Sequence, residues 1–202
     1  MVDLKEQLSQ NFTLEEMVRS ETAERVPELL TQQRNPPPDV VENLRYLCRT
    51  TLQPIRDRLS FPIGVTSGYR SDDLNRRIGG SRTSQHRFGQ AADCGLSAQF
   101  LVDPASAGVR SNIEQRVRTL TGRPLRRDVN AEFFLFAFVC IHLDKLDVDQ
   151  VIHEYGLGFG QPAWVHIAAS TGQNRRQILA LGDYVPEDRK FPDVVAALGF
   201  GV

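Results

Sequence analysis

The sequence predicts an α+β domain, a small antiparallel sheet with N-terminal helices packed on one of its faces. Apolar residues between positions 40 and 59 recur at steps of three and four, which is typical of one buried face of a helix. A chain of 202 residues is ordinary for one domain, so we take 1–202 as a single domain. Four short segments bounded by turn-forming residues have the composition of strands: 63–70, 89–94, 148–155 and 163–169.

Helices dominate the N-terminal part of the chain. Thr13 and Glu16 have the T-x-x-E spacing of a capping box, which predicts a short helix there. Pro36–Pro38 then form a stiff spacer before a longer helix. Pro54 lies within that helix and is expected to kink or weaken it, because proline has no N–H to donate. The buried face of the helix comprises Val40, Leu44, Leu47, Cys48, Leu52, Ile55 and Leu59.

Strands follow, mixed with shorter helices. The strand at 63–70 leads into a brief helix capped by Ser71. Gly89 to Cys94 predicts a strand made almost wholly of small residues, which indicates that another part of the molecule approaches it closely. A second apolar helix is expected over 133–146. The strands that follow it are joined by a glycine-rich link and are expected to be a hairpin or near neighbours.

Two segments lie outside this pattern. Residues 97–128 are predicted to be an insertion or lid, in which Ser111 and Glu114 could cap a helix that ends at Gly122. Residues 171–202 are predicted to be a C-terminal tail with one weak helix at 194–198.

Charge and composition exclude several classes of protein. Lys and Arg number 24 and Asp and Glu 25, a net charge of −1, so we expect no nucleic-acid partner, since such proteins show clustered positive charge. No apolar run approaches the roughly 20 residues that a membrane-spanning helix needs, and the first residues lack the pattern of a secretory signal. We therefore expect no membrane span and synthesis in the cytoplasm without a signal peptide. The cysteines number 3 and have no C-x-x-C spacing, which favours buried free thiols over a disulfide framework.

Two histidines and one aspartate are candidate metal ligands. Residues two apart on a strand share a face, so Asp93 points the same way as Gly89 and Ala91, over which His86 can fold back. Two imidazoles and a carboxylate that converge from two strands, with His166 on the later one, are the ligand set of a catalytic zinc with a fourth position open. Each residue also has a structural alternative: a surface-loop histidine, a strand-end cap and a hydrogen-bonded core histidine.

A longer set of motifs surrounds these residues. It comprises Ser67-Gly-Tyr-Arg70, Leu74-Asn75, Ile78-Gly79-Gly80-Ser81, Ser84-Gln-His86-x-x-Gly89-x-Ala91-x-Asp93 and Trp164-Val-His166. From about Phe12 to Ala169, with a gap at 97–128, the chain resembles the M15 family of zinc D-Ala-D-Ala carboxypeptidases and L-alanyl-D-glutamate endopeptidases. Members of that family cut peptidoglycan stem peptides in bacteria and as phage endolysins. The resemblance implies that the sheet carries a zinc site whose ligands are His86, Asp93 and His166.

The resemblance also implies roles for two further residues. Arg70 matches the arginine that the family places beside the metal to hold the substrate or the developing oxyanion, with a structural salt bridge as the alternative. Many members have a general-base glutamate three residues before the last ligand, but this chain has Ala163 there. Glu154 is the nearest substitute, in a segment similar to the Q-L-I-W-E strand of one subfamily, with a structural ion pair as its alternative.

The two remaining histidines are expected to play lesser parts. His153 could act as the base if the strand register were inverted, but a half-exposed strand histidine is the simpler interpretation. His142, which follows Phe138 at helical spacing, is expected to be a core or capping histidine.

The resulting hypothesis is a zinc-dependent peptidase, of carboxypeptidase or endopeptidase type, acting on peptidoglycan peptides that contain D-amino acids. Such a protein would act at the cell wall after release from the cell or as part of a virion, with virion or lysis proteins as further candidate partners. The alternative is a non-catalytic module that keeps the zinc fold for structure or binding, such as a virion component, and Ala163 is the feature that favours it.

Overall fold

A mostly antiparallel sheet lies at the centre of the computed structural model, which describes residues 2–158, 160–182 and 189–202. The strands are β1 (Gly64–Ser67), β2 (Ala91–Gly95), β3 (Gln150–Tyr155), β4 (Ala163–Ala168), β5 (Gln177–Leu181) and β6 (Arg189–Phe191). They are ordered β1-β2-β4-β3-β5-β6, and every neighbouring pair is antiparallel except β3 and β5. The α+β fold and the hairpin of β3 and β4 are therefore confirmed.

Of the α-helices in the described residues, five precede β1 in the chain, and the others lie between or after the strands. The helices are α1 (Leu14–Val18), α2 (Glu21–Glu24), α3 (Pro27–Gln33), α4 (Pro38–Leu47), α5 (Gln53–Leu59), α6 (Asp72–Arg77), α7 (Ala107–Thr121), α8 (Ala131–Ile141) and α9 (Val194–Leu198). The predicted cap of α1 is present, because the Thr13 hydroxyl accepts a hydrogen bond from the Glu16 N–H at 3.2 Å. Within the described ranges, no helix is both long and apolar enough to cross a membrane.

The predicted effect of Pro54 appears as a local widening of the helix. Between α4 and α5 the residues Cys48–Leu52 are π-helical, and the Gln53 N–H donates to the Cys48 carbonyl five residues earlier. Pro54 lies in the first turn of α5, where its missing N–H leaves no regular helical bond to be broken. The apolar stripe runs through this irregularity and is buried along its whole length.

The two faces of the sheet have different neighbours. α8 packs on one face, where the ring of His153 lies 5.9 Å from that of Phe133 and 5.7 Å from that of Phe136. Side chains alternate along a strand, so Glu154 points to the opposite face. His166 also points there, since its neighbour Val165 pairs with His153. The candidate site therefore lies on the face of the sheet that is turned away from α8.

The predicted start of β2 at Gly89 is wrong. The strand begins at Ala91, and Gly89 instead ends a 3₁₀ turn, Gln85–Phe88, with a φ of 66°. A side chain at Gly89 would place its Cβ 2.6 Å from the Val40 carbonyl oxygen of α4. The small residues of this segment thus allow a helix to approach the turn, as the composition indicated.

Residues 97–128 contain two 3₁₀ turns, Ala98–Leu101 and Pro104–Ser106, and then α7. The predicted end at Gly122 is confirmed, with a φ of 74°, but the predicted start is wrong. The Asp103 side chain accepts from the Ala105 N–H, and the turn that it caps runs directly into α7, which leaves Ser111 inside the helix. That 97–128 is an insertion or lid stays a prediction.

The C-terminal residues 171–202 contain more regular structure than the sequence predicted. The helix expected at 194–198 is present as α9. β5 and β6 were not predicted, and β5 extends the sheet by pairing in parallel with β3.

Candidate metal centre

Three buried side chains meet at one point on the sheet face turned away from α8. His86 Nε2, Asp93 Oδ1 and His166 Nδ1 form a triangle in which each pair of atoms is 3.1 Å apart. The three residues are exposed to 2%, 3% and 7%, so their polar atoms are turned toward one another and not toward solvent. The structure thus brings together the three residues that the sequence singled out as candidate ligands.

Strand pairing and one turn place these side chains. Asp93 of β2 is directly opposite His166 of β4 in the antiparallel register, so both point to the same face. His86 comes from the 3₁₀ turn before β2, and its ring meets that of His166 edge-on at 4.9 Å between centroids. Two residues are therefore fixed by the sheet and the third by a turn.

The His86 ring is oriented by a backbone carbonyl. Its Nδ1 lies 2.6 Å from the Gly68 oxygen, and because a carbonyl can only accept, Nδ1 carries a proton; Nε2 of the neutral ring is then the lone-pair donor that a metal requires. A Cβ at Gly68 would lie 2.3 Å from the Met17 oxygen, so glycine is needed for this close approach. The outer nitrogen of His166, Nε2, is buried without a hydrogen-bond partner in the described part of the chain.

The three ligand atoms fit a zinc ion. Zinc bonds of about 2.0–2.2 Å at tetrahedral angles hold the ligand atoms roughly 3.3 Å apart, close to the 3.1 Å observed here. Two imidazoles and one carboxylate are also the donor types of catalytic zinc sites. Within the described residues, these are the only three or more His, Cys, Asp or Glu side chains close enough together to share an ion.

The electrostatics of the centre keep its carboxylate ionised. Burial alone would raise the pKa of Asp93, but His86 and His166 hold that pKa well below its ordinary value. Arg70 also contacts Asp93, through a salt bridge from Nη2 to Oδ2, and donates from Nε to the Ser67 hydroxyl at 2.9 Å. Arg70 therefore lies beside the candidate ligands, as expected, and forms the salt bridge that its structural alternative required.

Glu154 lies near the same centre. It is half-buried on β3 and pairs with Trp164, two residues before His166 on β4. Its pKa is raised above the ordinary value by burial and by the charge of Asp93, while the side chains of His166, Trp164 and Arg70 act in the opposite direction. Ala163, at the position where the resemblance predicts a glutamate, pairs with Tyr155 at the end of the hairpin.

The other two histidines lie away from the centre. His142 ends α8 and its Nδ1 is 2.9 Å from the Phe138 oxygen, which confirms a capping role. The expectation that His153 is half-exposed is wrong, because its side chain is fully buried against α8 and the ring of Phe200, and burial lowers its pKa to about 4. Strand alternation had placed His153 on the face opposite Glu154, but the covering helix could not be inferred from that pattern.

The 3₁₀ turn Gln85–Phe88, which carries His86, is named the metal turn. Sequence reasoning missed a hydrogen-bond network on its outer side, the side away from residues 68–70. Asp149, directly before β3, is 4% exposed and accepts hydrogen bonds from the side chains of Gln85 and Arg175. Gln85 belongs to the recognisable S-Q-H string, but its partner Asp149 lies 64 positions later, and Arg175, which contacts Asp149, lies 26 positions beyond that. Nothing local in the sequence connects these three positions.

The chain is similar to a known protein family. A family model described as Peptidase M15 matches residues 10–113, just over half of the chain. The matched range includes His86, Asp93 and Arg70 and ends before β3 and β4. No curated protein matches the chain.

Proposed function

The chain belongs to the Peptidase M15 family of metallopeptidases, and from this premise we propose that it hydrolyses peptidoglycan stem peptides containing D-amino acids, with zinc held by His86, Asp93 and His166. The observation that supports this most strongly is the triangle of ligand atoms 3.1 Å apart, built from side chains up to 80 positions apart. When bound, zinc supplies Lewis acidity, which polarises a scissile carbonyl and makes a nearby water more acidic. Action at the cell wall, after release or within a virion, belongs to the same proposal.

Glu154 is the proposed general base. Its place on β3 makes it a diagonal cross-strand neighbour of His166, and such neighbours are about 7–8 Å apart, within reach of a water between them. A carboxylate whose pKa is raised by burial binds a proton more readily than an exposed one. Glu154 would take a proton from the attacking water and pass it to the leaving amine.

Arg70 is proposed to hold the substrate carbonyl. A guanidinium has five N–H donors, and the bonds to Ser67 and Asp93 use two of them. The salt bridge to Asp93 fixes the orientation of the fork, so the remaining donors are positioned before the substrate arrives. The structural and catalytic explanations of Arg70 are therefore compatible.

The test of the mechanism is digestion of purified murein, followed by mass spectrometry of the released muropeptides, which also identifies the bond cut. We expect Glu154→Gln to lower kcat by about 10²-fold or more, because the amide cannot accept the proton. Glu132→Gln is a matched control, since Glu132 is another glutamate with a pKa raised by burial but lies on α8, across the sheet. Equal activity of Glu154→Gln and Glu132→Gln would remove Glu154 from the mechanism.

The second candidate function is a non-catalytic zinc module, favoured by Ala163 at the usual position of the base. That function predicts one bound zinc and no release of muropeptides at any protein concentration. Cleavage that is abolished by a chelator and restored by zinc would exclude it.

A further inference from the structure

A buried carboxylate links the C-terminal residues to the metal turn. Asp149 Oδ2 accepts a hydrogen bond from Gln85 Nε2 at 2.9 Å. From the other side, Asp149 Oδ1 accepts from the backbone N–H of Arg175 at 2.7 Å, and both carboxylate oxygens accept from Arg175 Nε at 3.0 Å. The Arg175 Nη2 group forms a salt bridge with the same carboxylate.

The backbone of Asp149 is anchored to two strands. Its N–H donates to the Ala168 carbonyl at 2.7 Å, two residues beyond His166 on β4. Its own carbonyl accepts from the Gln177 N–H, the first residue of β5, at 2.9 Å. Asp149 is thus a fixed point between the strand that bears one candidate ligand and the strand contributed by the C-terminal residues.

Gln85 connects this fixed point to the other histidine. It immediately precedes His86 in the 3₁₀ turn, and its carbonyl accepts from the Gln90 N–H at 3.0 Å, which closes the turn. On the inner side, the His86 carbonyl accepts from the Arg70 N–H at 3.1 Å and the His86 ring bonds to Gly68. The turn is therefore held on its inner side by residues 68–70 and on its outer side by Asp149.

The charge of Asp149 makes this outer attachment strong. Burial would raise the pKa of Asp149, but the hydrogen bonds from Arg175 and Gln85 outweigh burial and hold that pKa below its ordinary value. An ionised carboxylate makes shorter and stronger hydrogen bonds than a neutral one. Arg175 itself is more than half exposed, so its role here is directed at Asp149 and not at the core.

We propose that Arg175 is a positioning residue for the metal ligand His86, acting through Asp149 and Gln85, so that the C-terminal region sets the zinc affinity of the site. This inference rests on the proposed function, which places zinc at His86. It assigns a task to residues beyond the range matched by the family model.

The test is the zinc dissociation constant of the purified full-length protein, measured by competition with a chromophoric chelator well below the unfolding temperature. Outer residues that orient a metal ligand typically change metal affinity by about 10- to 100-fold, so we expect Arg175→Ala to weaken zinc binding about tenfold. Arg175→Lys should recover part of this loss. Arg176→Ala is the matched control, because Arg176 is the exposed neighbour in the chain and should leave the constant unchanged.

A double mutant then tests whether Arg175 acts on His86 through Gln85. If Arg175 acts through Gln85, the Gln85→Ala, Arg175→Ala double variant binds zinc no more weakly than the weaker of the two single variants. Fully additive losses of zinc affinity would show that Arg175 does not act through Gln85. Unchanged zinc affinity in Arg175→Ala would overturn the whole inference. A wild-type protein that binds no zinc would instead overturn the proposed function, so the two failures are distinguishable. Because affinity is measured on folded protein, a purely structural role of Arg175 would lower the unfolding temperature without changing the constant.

Discussion

At the scale of single residues, the candidate metal centre joins side chains from short sequence strings with partners from other elements of the fold. His86, Asp93 and His166 each belong to a short string of specific residues, and the structure brings their ligand atoms together. The salt bridge of Arg70 joins it to Asp93, 23 positions later, and the covering of His153 comes from another element, so no local pattern indicated either. A side chain's face can be inferred from strand alternation, whereas its burial depends on what packs there.

His153 predicts a pH dependence of stability. Its pKa is about 4 in the folded protein and about 6.5 when exposed, so the folded state binds fewer protons. The contribution of the neutral histidine to the free energy of unfolding is fully present above pH 6.5. It is lost as the pH falls toward 4, by about 2 kcal/mol between pH 7 and 5. In urea unfolding with chelator present, the free energy of unfolding should therefore fall less for His153→Leu than for the wild type over this pH range. If the free energies of unfolding of the two proteins fell equally with pH, the lowered pKa of His153 would be contradicted.

At the scale of elements, the 3₁₀ turn that carries His86 depends on a close contact with α4. Asn43 on this helix donates from Nδ2 to the Phe88 carbonyl at 2.9 Å, and Gly89 leaves no space for a side chain beside Val40. The helix that the apolar stripe predicted so clearly thus also supports the metal turn. The sequence showed the stripe and the small residues separately, but not that they meet.

Gly89→Ala tests this contact. At both Gly89 and Gly122 an alanine must adopt a left-handed conformation, at a cost of roughly 1–2 kcal/mol. Only at Gly89 does the added methyl also meet backbone, because nothing lies within 4 Å of a Cβ at Gly122. We expect Gly89→Ala to lower the free energy of unfolding by clearly more than Gly122→Ala, as measured by urea unfolding. Similar losses at the two positions would mean that α4 does not restrict the turn.

At the scale of the whole molecule, prediction succeeded for α1, for the helical stripe of α4 and α5 and for the β3–β4 hairpin. It did not include α2 and α3, and it was weakest beyond residue 170. Capping residues, the helical stripe and the strand at 63–70 are local signals, and the corresponding elements are present. β5 and β6 are short, and β5 obtains its place from parallel pairing with β3, which no adjacent turn announces. The hydrogen-bond network of Asp149 was not predicted either, because its members are distant in sequence.

Removal of the metal should affect the stability of the entire domain. The purified protein is expected to contain about one zinc per chain, and at zinc concentrations about 1,000 times the dissociation constant binding adds about 4 kcal/mol of stability. Chelation should then lower the unfolding temperature by roughly 10 °C. His86→Ala should abolish this shift, whereas His142→Ala, a cap on α8, should keep it. Less than half an equivalent of zinc with no shift on chelation would exclude a metal site of this kind.

The parallel pairing of β5 with β3 also has a consequence for synthesis. A ribosome delivers the chain from its N-terminus, and β3 has β4 on one side but lacks its second neighbour until residues 177–181 have emerged. Until then the strand that bears Glu154 presents an open row of backbone N–H and C=O groups, which invites pairing with other chains. The nascent protein thus passes through an interval in which all three candidate ligands have been made but this edge of the sheet is still open to pairing with other chains.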